Sequence, residues 1–217
     1  MTATLVGATG LIGGLLLDEL LNDPYFDIVR ILIRRPLDIT HSKLEKKIVD
    51  FNDSDSLLVG LSNSNVVFCA IGTTQKKMKG NKEAYRKIDF DIPVRLARLS
   101  KMVGCEKFIL VSSIGANSKG NSFYLQLKGE AEDAIKQIGL KQLHIMRPSL
   151  LLGDRKEFRL GEDISKVFMT SLSFLVPSKY KAIQAKEVAK AMTVIAKKTD
   201  EGVFVYEYDQ MKELSKF

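Results

Sequence analysis

Thr2-Ala3-Thr4-Leu5-Val6-Gly7-Ala8-Thr9-Gly10-Leu11-Ile12-Gly13-Gly14 follows Met1 and decides how the rest of the chain is read. Residues 2–6 alternate small, polar and branched side chains as a strand does, and from Ile12 the apolar positions Ile12, Leu15, Leu16 and Leu20 recur at helical spacing. A strand therefore runs into a helix through glycines. In such a turn Gly7 can take backbone angles closed to other residues, Gly10 can bring bare backbone against a pyrophosphate, and Gly13 can let the helix pack close on the sheet. Backbone amides and the helix dipole then face an anion. Gly-x-x-Gly-x-x-Gly is not the commonest spacing for a dinucleotide turn, but its place between a strand and a helix is the one the mechanism requires.

Outward from this turn, strands are expected at 27–33, 44–50, 66–71, 107–111, 142–147 and 202–206, the fourth strand of the chain (66–71) being a continuous apolar run of the kind a parallel sheet buries on both faces. Helical periodicity falls between them. Residues 53–61 hold only a short helix; 83–104 carry Tyr85, Ile88, Ile92, Leu96, Leu99 and Val103 on one face, with Pro93 as a kink or restart; 124–138 and 186–197 complete the set. Strand and helix in alternation predict a doubly wound parallel sheet, a Rossmann fold. Residues 149–184 are irregular, with one helix expected near 164–175. We expect a single domain over 1–217, with 149–184 and 200–217 contributing a small C-terminal substrate-side lobe.

The 217 residues are enough to bury a proper core but not two domains of independent function. Cys69 and Cys105 are far apart and without metal-ligand spacing, so neither a disulfide framework nor a zinc site is expected, and a reducing, cytoplasmic setting is the default. No apolar run approaches a membrane span, and no basic segment precedes an apolar one at the N-terminus. The net charge of +7 is spread over many lysines rather than held in one arm, which argues against a nucleic-acid partner. His41 in a polar loop and His144 within the sixth strand have no neighbouring ligand set, so no metal is expected. Cys69, inside a strand, reads as buried structure, and the run Lys76 to Lys82 as a solvated loop rather than a lure for an acidic substrate.

Two features carry chemistry. The second strand ends in Arg34-Arg35-Pro36, where an NAD-selective site usually places Asp or Glu for the ribose 2′-hydroxyl. A carboxylate would repel a 2′-phosphate, whereas a guanidinium offers planar, bidentate donors, so NADP(H) is expected over NAD(H). The other reading is a pair of solvated arginines at a strand end. Further on, Ser112 and Ser113 close the fifth strand and Tyr124 and Lys128 lie four apart on the next helix. The lysine ammonium favours the phenolate electrostatically, and a serine hydroxyl, Ser113 by preference, can hold a substrate oxygen.

Together the glycine turn, Ala70-Ile71-Gly72-Thr73-Thr74, Val111-Ser112-Ser113, Tyr124-x-x-x-Lys128 and Arg147-Pro148-Ser149-Leu150-Leu151-Leu152-Gly153 resemble an atypical short-chain dehydrogenase/reductase of the Tat-interacting-protein-like subgroup, over most of the chain up to about Phe168. The resemblance implies that Gly7, Thr9, Gly10, Leu11 and Ile12 line the pyrophosphate and that Ile71 and Gly72 approach the nicotinamide ribose. It also implies that Tyr124 and Lys128 sit at the reactive centre and that Leu151 and Arg159 lie near the cofactor. Asp89 stands near where the wider superfamily places a proton-relay asparagine. The expected activity is NADP(H)-dependent oxidoreduction of a small-molecule substrate with Tyr124 as proton donor. Alternatives are an NADPH-binding regulator acting through a protein partner, and a nucleotide-sugar epimerase or dehydratase, which needs a larger C-terminal lobe than the tail after Pro148 offers.

Overall fold

The computed structural model describes residues 1–73, 80–105, 107–153 and 177–217. Seven strands form one parallel sheet: β1 (Thr2–Val6), β2 (Ile28–Ile33), β3 (Leu44–Ile48), β4 (Val66–Cys69), β5 (Lys107–Val111), β6 (Gln142–Met146) and, after a separate pair β7 (Leu151–Leu152) and β8 (Ile183–Gln184), the edge strand β9 (Gly202–Tyr206). Their order is β3-β2-β1-β4-β5-β6-β9. The chain winds from β1 out to one edge, then crosses back to β4 on the other side of β1. The winding reverses between β1 and β4, and a crevice opens at the carboxyl ends of those strands. This is the doubly wound sheet that the alternation of strand and helix predicts.

Helices α1 (Leu11–Asn22), α2 (Ser54–Leu61), α3 (Lys82–Arg86), α4 (Ile92–Met102), α5 (Phe123–Lys136), α6 (Ala185–Ala196) and α7 (Tyr208–Leu214) cover both faces. Strand alternation divides the core. Leu5, Ile31, Phe68 and Ile109 face α1 and α6, while Val6, Leu32, Val67 and Phe108 face α2, α4 and α5. Every one of these eight side chains is at most 1% exposed, and each contributes about 1.5 to 3 kcal/mol of apolar burial. Both faces being covered explains why β4 reads as unbroken apolar sequence.

Several expectations shift in detail. The helix expected over 83–104 is three pieces, because Pro93 has no N–H to give the carbonyl of Asp89. A π turn over Lys87–Asp91, closed by Ile92 N–H to Lys87 O, takes up the mismatch, and α4 restarts with the proline in its first turn. The fourth strand ends at Cys69, not Ile71, and the chain leaves the sheet to wall the crevice. Residues 200–217 supply the edge strand β9 and α7, which packs on α6 and on the turn at Ser178–Tyr180. α7 and the β7–β8 pair have no counterpart in the sequence reading. The helix expected near 164–175 lies outside the described residues.

Candidate active site

Gly7 has φ +99°, and a Cβ there would lie 2.6 Å from the carbonyl carbon of Ala70. A Cβ on Gly13 would lie 2.0 Å from the carbonyl oxygen of Gly7. Only bare backbone lets β1, the segment after β4 and the start of α1 meet this closely. The N-cap of α1 is Gly10, with no side-chain cap and no acid in the first turn. The first-turn amides and the positive end of the dipole are thus left for an anion.

The cleft before this helix end measures about 510 Å³. Gly7, Thr9, Gly10, Ile71 and Gly72 line it, together with Arg34 and Arg35 just past β2. Both arginines are exposed, and neither forms an ion pair with a described residue. Lys46 braces the loop behind them by donating to the carbonyls of Leu37 (3.3 Å) and Ile39 (3.0 Å). Phe51, Ile88 and Ile92 form an apolar wall that sequence reasoning did not assign. Glycines that leave no room for a Cβ, an uncapped helix start and two exposed guanidinium groups fit a dinucleotide carrying phosphates.

At its inner end the cleft adjoins a recess of about 50 Å³, with Ala70, Ile71 and Thr73 common to both. Leu11, Ile12, Ser112, Ser113, Tyr124, Lys128 and Leu151 line this recess. Arg159 lies outside the described residues. Every other candidate site residue faces the cleft or the recess.

The hydrogen bonds separate the two serines. Ser112 Oγ donates to Glu132 Oε1 at 2.5 Å, and Glu132 also takes two bonds from Arg147, at 3.0 and 2.5 Å. Among the described residues, Ser113 Oγ has only a 3.3 Å bond to the carbonyl of Ile114. Of the two, Ser113 is the hydroxyl more easily turned to a ligand.

Tyr124 and Lys128 stand one turn apart on α5, and the tyrosine ring packs edge-on to Tyr85 with centroids 6.3 Å apart. Lys128 Nζ lies 2.8 Å from Asp89 Oδ1, both side chains almost wholly buried. Burial is the largest single influence and works against the ammonium, but the charge and hydrogen bond of Asp89, with the Tyr124 phenol and Cys69, together outweigh it and hold the lysine above its usual range. Asp89 Oδ2 accepts the amide of Thr73 at 2.9 Å, and the Tyr85 hydroxyl donates to the Thr73 carbonyl at 3.1 Å. Neither this pair nor the Glu132–Arg147 pair was assigned from sequence. A signal existed: Asp89 and Glu132 are acids on the inner stripes of otherwise apolar-periodic helices. Cys69 is fully buried, and burial pushes its thiol up to about 12, in keeping with a structural role.

Comparison with known proteins matches residues 7–198 to the family model described as NAD(P)H-binding. The chain belongs to the NAD(P)H-binding family. Rat Protein HTATIP2 is 34% identical over 191 residues, spanning 87% of this chain and 78% of its own. Protein FMP52, mitochondrial, of Candida albicans is 33% identical over 209 residues, spanning 93% and 90%. MoeE5 in complex with UDP-glucuronic acid and NAD superposes with a TM-score of 0.72 at 20% identity, over 96% of this chain and 76% of that one. UDP-glucose 4-epimerase of Thermotoga maritima gives 0.69 at 17% identity, over 100% and 82%. These structural likenesses extend to the fold. Among the described residues no helix is long and apolar enough to cross a membrane, and no cluster of His, Cys, Asp or Glu could hold a metal.

Proposed function

We propose that this family member is an NADP(H)-dependent oxidoreductase acting on a small carbonyl or hydroxyl compound. The observation that carries the reading is the continuity of the site: one cleft has exposed arginines at its outer end, an uncapped helix start in the middle, and at its inner end a recess holding Tyr124, Lys128 and Ser113. Gly7, Thr9, Gly10, Leu11 and Ile12 would hold the pyrophosphate, Arg34 and Arg35 the 2′-phosphate, and Ile71 and Gly72 the nicotinamide ribose. Leu151 would lie near the cofactor. The chemistry that NADPH would supply when bound there is a hydride for a carbonyl carbon. Ser113 holds the carbonyl oxygen while the Tyr124 hydroxyl gives it a proton, and the reverse transfers oxidise an alcohol. Lys128 stands one turn from the phenol on the same helix, its ammonium paired with Asp89. The test is NADPH oxidation with a panel of small carbonyl compounds: Tyr124→Phe should abolish turnover with NADPH affinity nearly unchanged, and full activity in that variant would overturn the assignment.

A second reading has support in the size of the recess. About 50 Å³, as bounded by the described residues, is well below the few hundred that a small substrate occupies, and this favours an NADPH-binding regulator acting through a protein partner. Turnover of any carbonyl compound in the panel decides for the enzyme. A cytoplasmic setting suits the two buried free cysteines. Because the yeast relatives are named mitochondrial, fractionation of cells making the full chain is the check.

A further inference from the structure

We propose that Asp89 is a positioning residue of the dinucleotide site, one carboxylate holding both the Lys128 ammonium and the Thr73 amide so that helix α5 and the cleft wall are set against each other at the nicotinamide end. The inference rests on the NADP(H) reading above.

The geometry separates this carboxylate from ordinary structural charge. Asp89 is 1% exposed, and its two oxygens hold different partners, Oδ1 meeting Lys128 at 2.8 Å and Oδ2 accepting from Thr73 at 2.9 Å. Thr73 closes the stretch from Ala70 that walls both the cleft and the recess. Through this one side chain, the π turn before α4 fixes the backbone on which Ile71 and Gly72 ride and the lysine opposite them.

Lys107 shows what a purely structural buried lysine does in this protein. Its Nζ is absorbed by two backbone carbonyls, Ala196 O at 2.8 Å and Lys198 O at 2.5 Å, far from the cleft. Lys128 differs on both counts. Among the described residues its ammonium meets no acceptor besides Asp89, although it has three donors and lines the recess. Lys128 lines the recess, where the remaining donors are open to a bound ligand.

The charge state of the pair says what kind of ligand group. Asp89 cancels the lysine's charge, so the pair presents donors without net charge. That suits a neutral acceptor such as a ribose hydroxyl, and it leaves the phosphates to α1 and the arginines. Asp89→Asn keeps the shape and can still accept from Thr73, but it faces an amide to the ammonium and leaves the lysine uncompensated.

Binding of two ligands to the purified full chain tests this: NADPH, which reaches the recess, and adenosine 2′,5′-bisphosphate, which ends at the outer cleft. In Asp89→Asn, NADPH should bind at least about tenfold more weakly while the bisphosphate stays within about twofold of the parent. A protein merely loosened would lose both together. If Asp89→Asn does not fold, Asp89→Asn with Lys128→Met, which removes both buried charges, should show the same split. NADPH binding within twofold of the parent, or equal loss of both ligands by a folded variant, overturns the role of Asp89. A parent protein that binds neither ligand overturns the dinucleotide reading itself, and this inference with it.

Discussion

Replacing Glu132 by leucine removes the carboxylate that joins β5, α5 and β6 beneath the recess. Glu132 has 1% of its side chain exposed, accepts Ser112 and two donors of Arg147, and lies 3.7 Å from the Lys136 ammonium. Leucine fills similar space, so the loss is mainly electrostatic. Breaking one side of a buried pair costs about 3 to 5 kcal/mol, because the partner charge is left without compensation. Arg147 keeps 21% of its side chain in solvent, and Lys136 is partly free to relax, which argues for the lower end, about 3 kcal/mol. For a chain of this size that corresponds to a fall of about 6 to 12 °C in Tm. Urea unfolding followed by circular dichroism reads it directly. Adding Arg147→Met takes away the stranded guanidinium, so the double variant should return to within about 1 kcal/mol of the parent, the remainder being the Ser112 hydroxyl with no acceptor. If the single variant loses less than about 1 kcal/mol, or the double variant is as unstable as the single, the network does not hold these elements as argued.

Three further outcomes are expected. Gly13→Ala puts a Cβ 2.0 Å from the Gly7 carbonyl oxygen, backbone against backbone, and should cost about 3 kcal/mol in a thermal melt, near the top of the overpacking range; a parent-like melt would contradict the close approach. His144 is held neutral by burial, with Lys107 and Lys198 adding to it, its value falling from 6.5 to about 4. The unfolded chain therefore takes up a proton that the fold refuses, so stability should drop by about 3 kcal/mol as pH falls from 7 to 4, and His144→Phe should flatten that slope in denaturant unfolding. Ser113→Ala should cut turnover with little change in Tm, whereas Ser112→Ala should lower stability by about 1 kcal/mol; the reverse pattern would exchange the roles of the two serines.

What could be read from the sequence was what repeats or what only one residue type can do. The inner strands of the sheet declare themselves because both faces are buried, as in Val66 to Cys69, and the turn at Gly7 and Gly13 because no Cβ fits there. The residues lining the site were legible where chain order sets position: Arg34 and Arg35 follow a strand, and Tyr124 and Lys128 share a helix face. Asp89 meeting Lys128 and Glu132 meeting Arg147 depend on side chains that approach only after the sheet is wound, and a single sequence carries no record of such pairing. The π turn escaped notice because helical periodicity looks the same on both sides of Pro93, and α7 because it is too short to show a period.

Calorimetric titration of the purified protein with NADPH and NADH, at one fixed ionic strength, tests most directly that the glycine cleft with its arginine end is an NADP(H) site. Each charge-assisted bond to the 2′-phosphate is worth about 1.5 to 3 kcal/mol, so NADPH should bind about tenfold to a hundredfold more tightly than NADH. Changing Arg34 and Arg35 together to alanine should bring NADPH to the level of NADH and leave NADH unchanged. Equal affinities in the parent, or NADPH binding unaltered in the double variant, would contradict it.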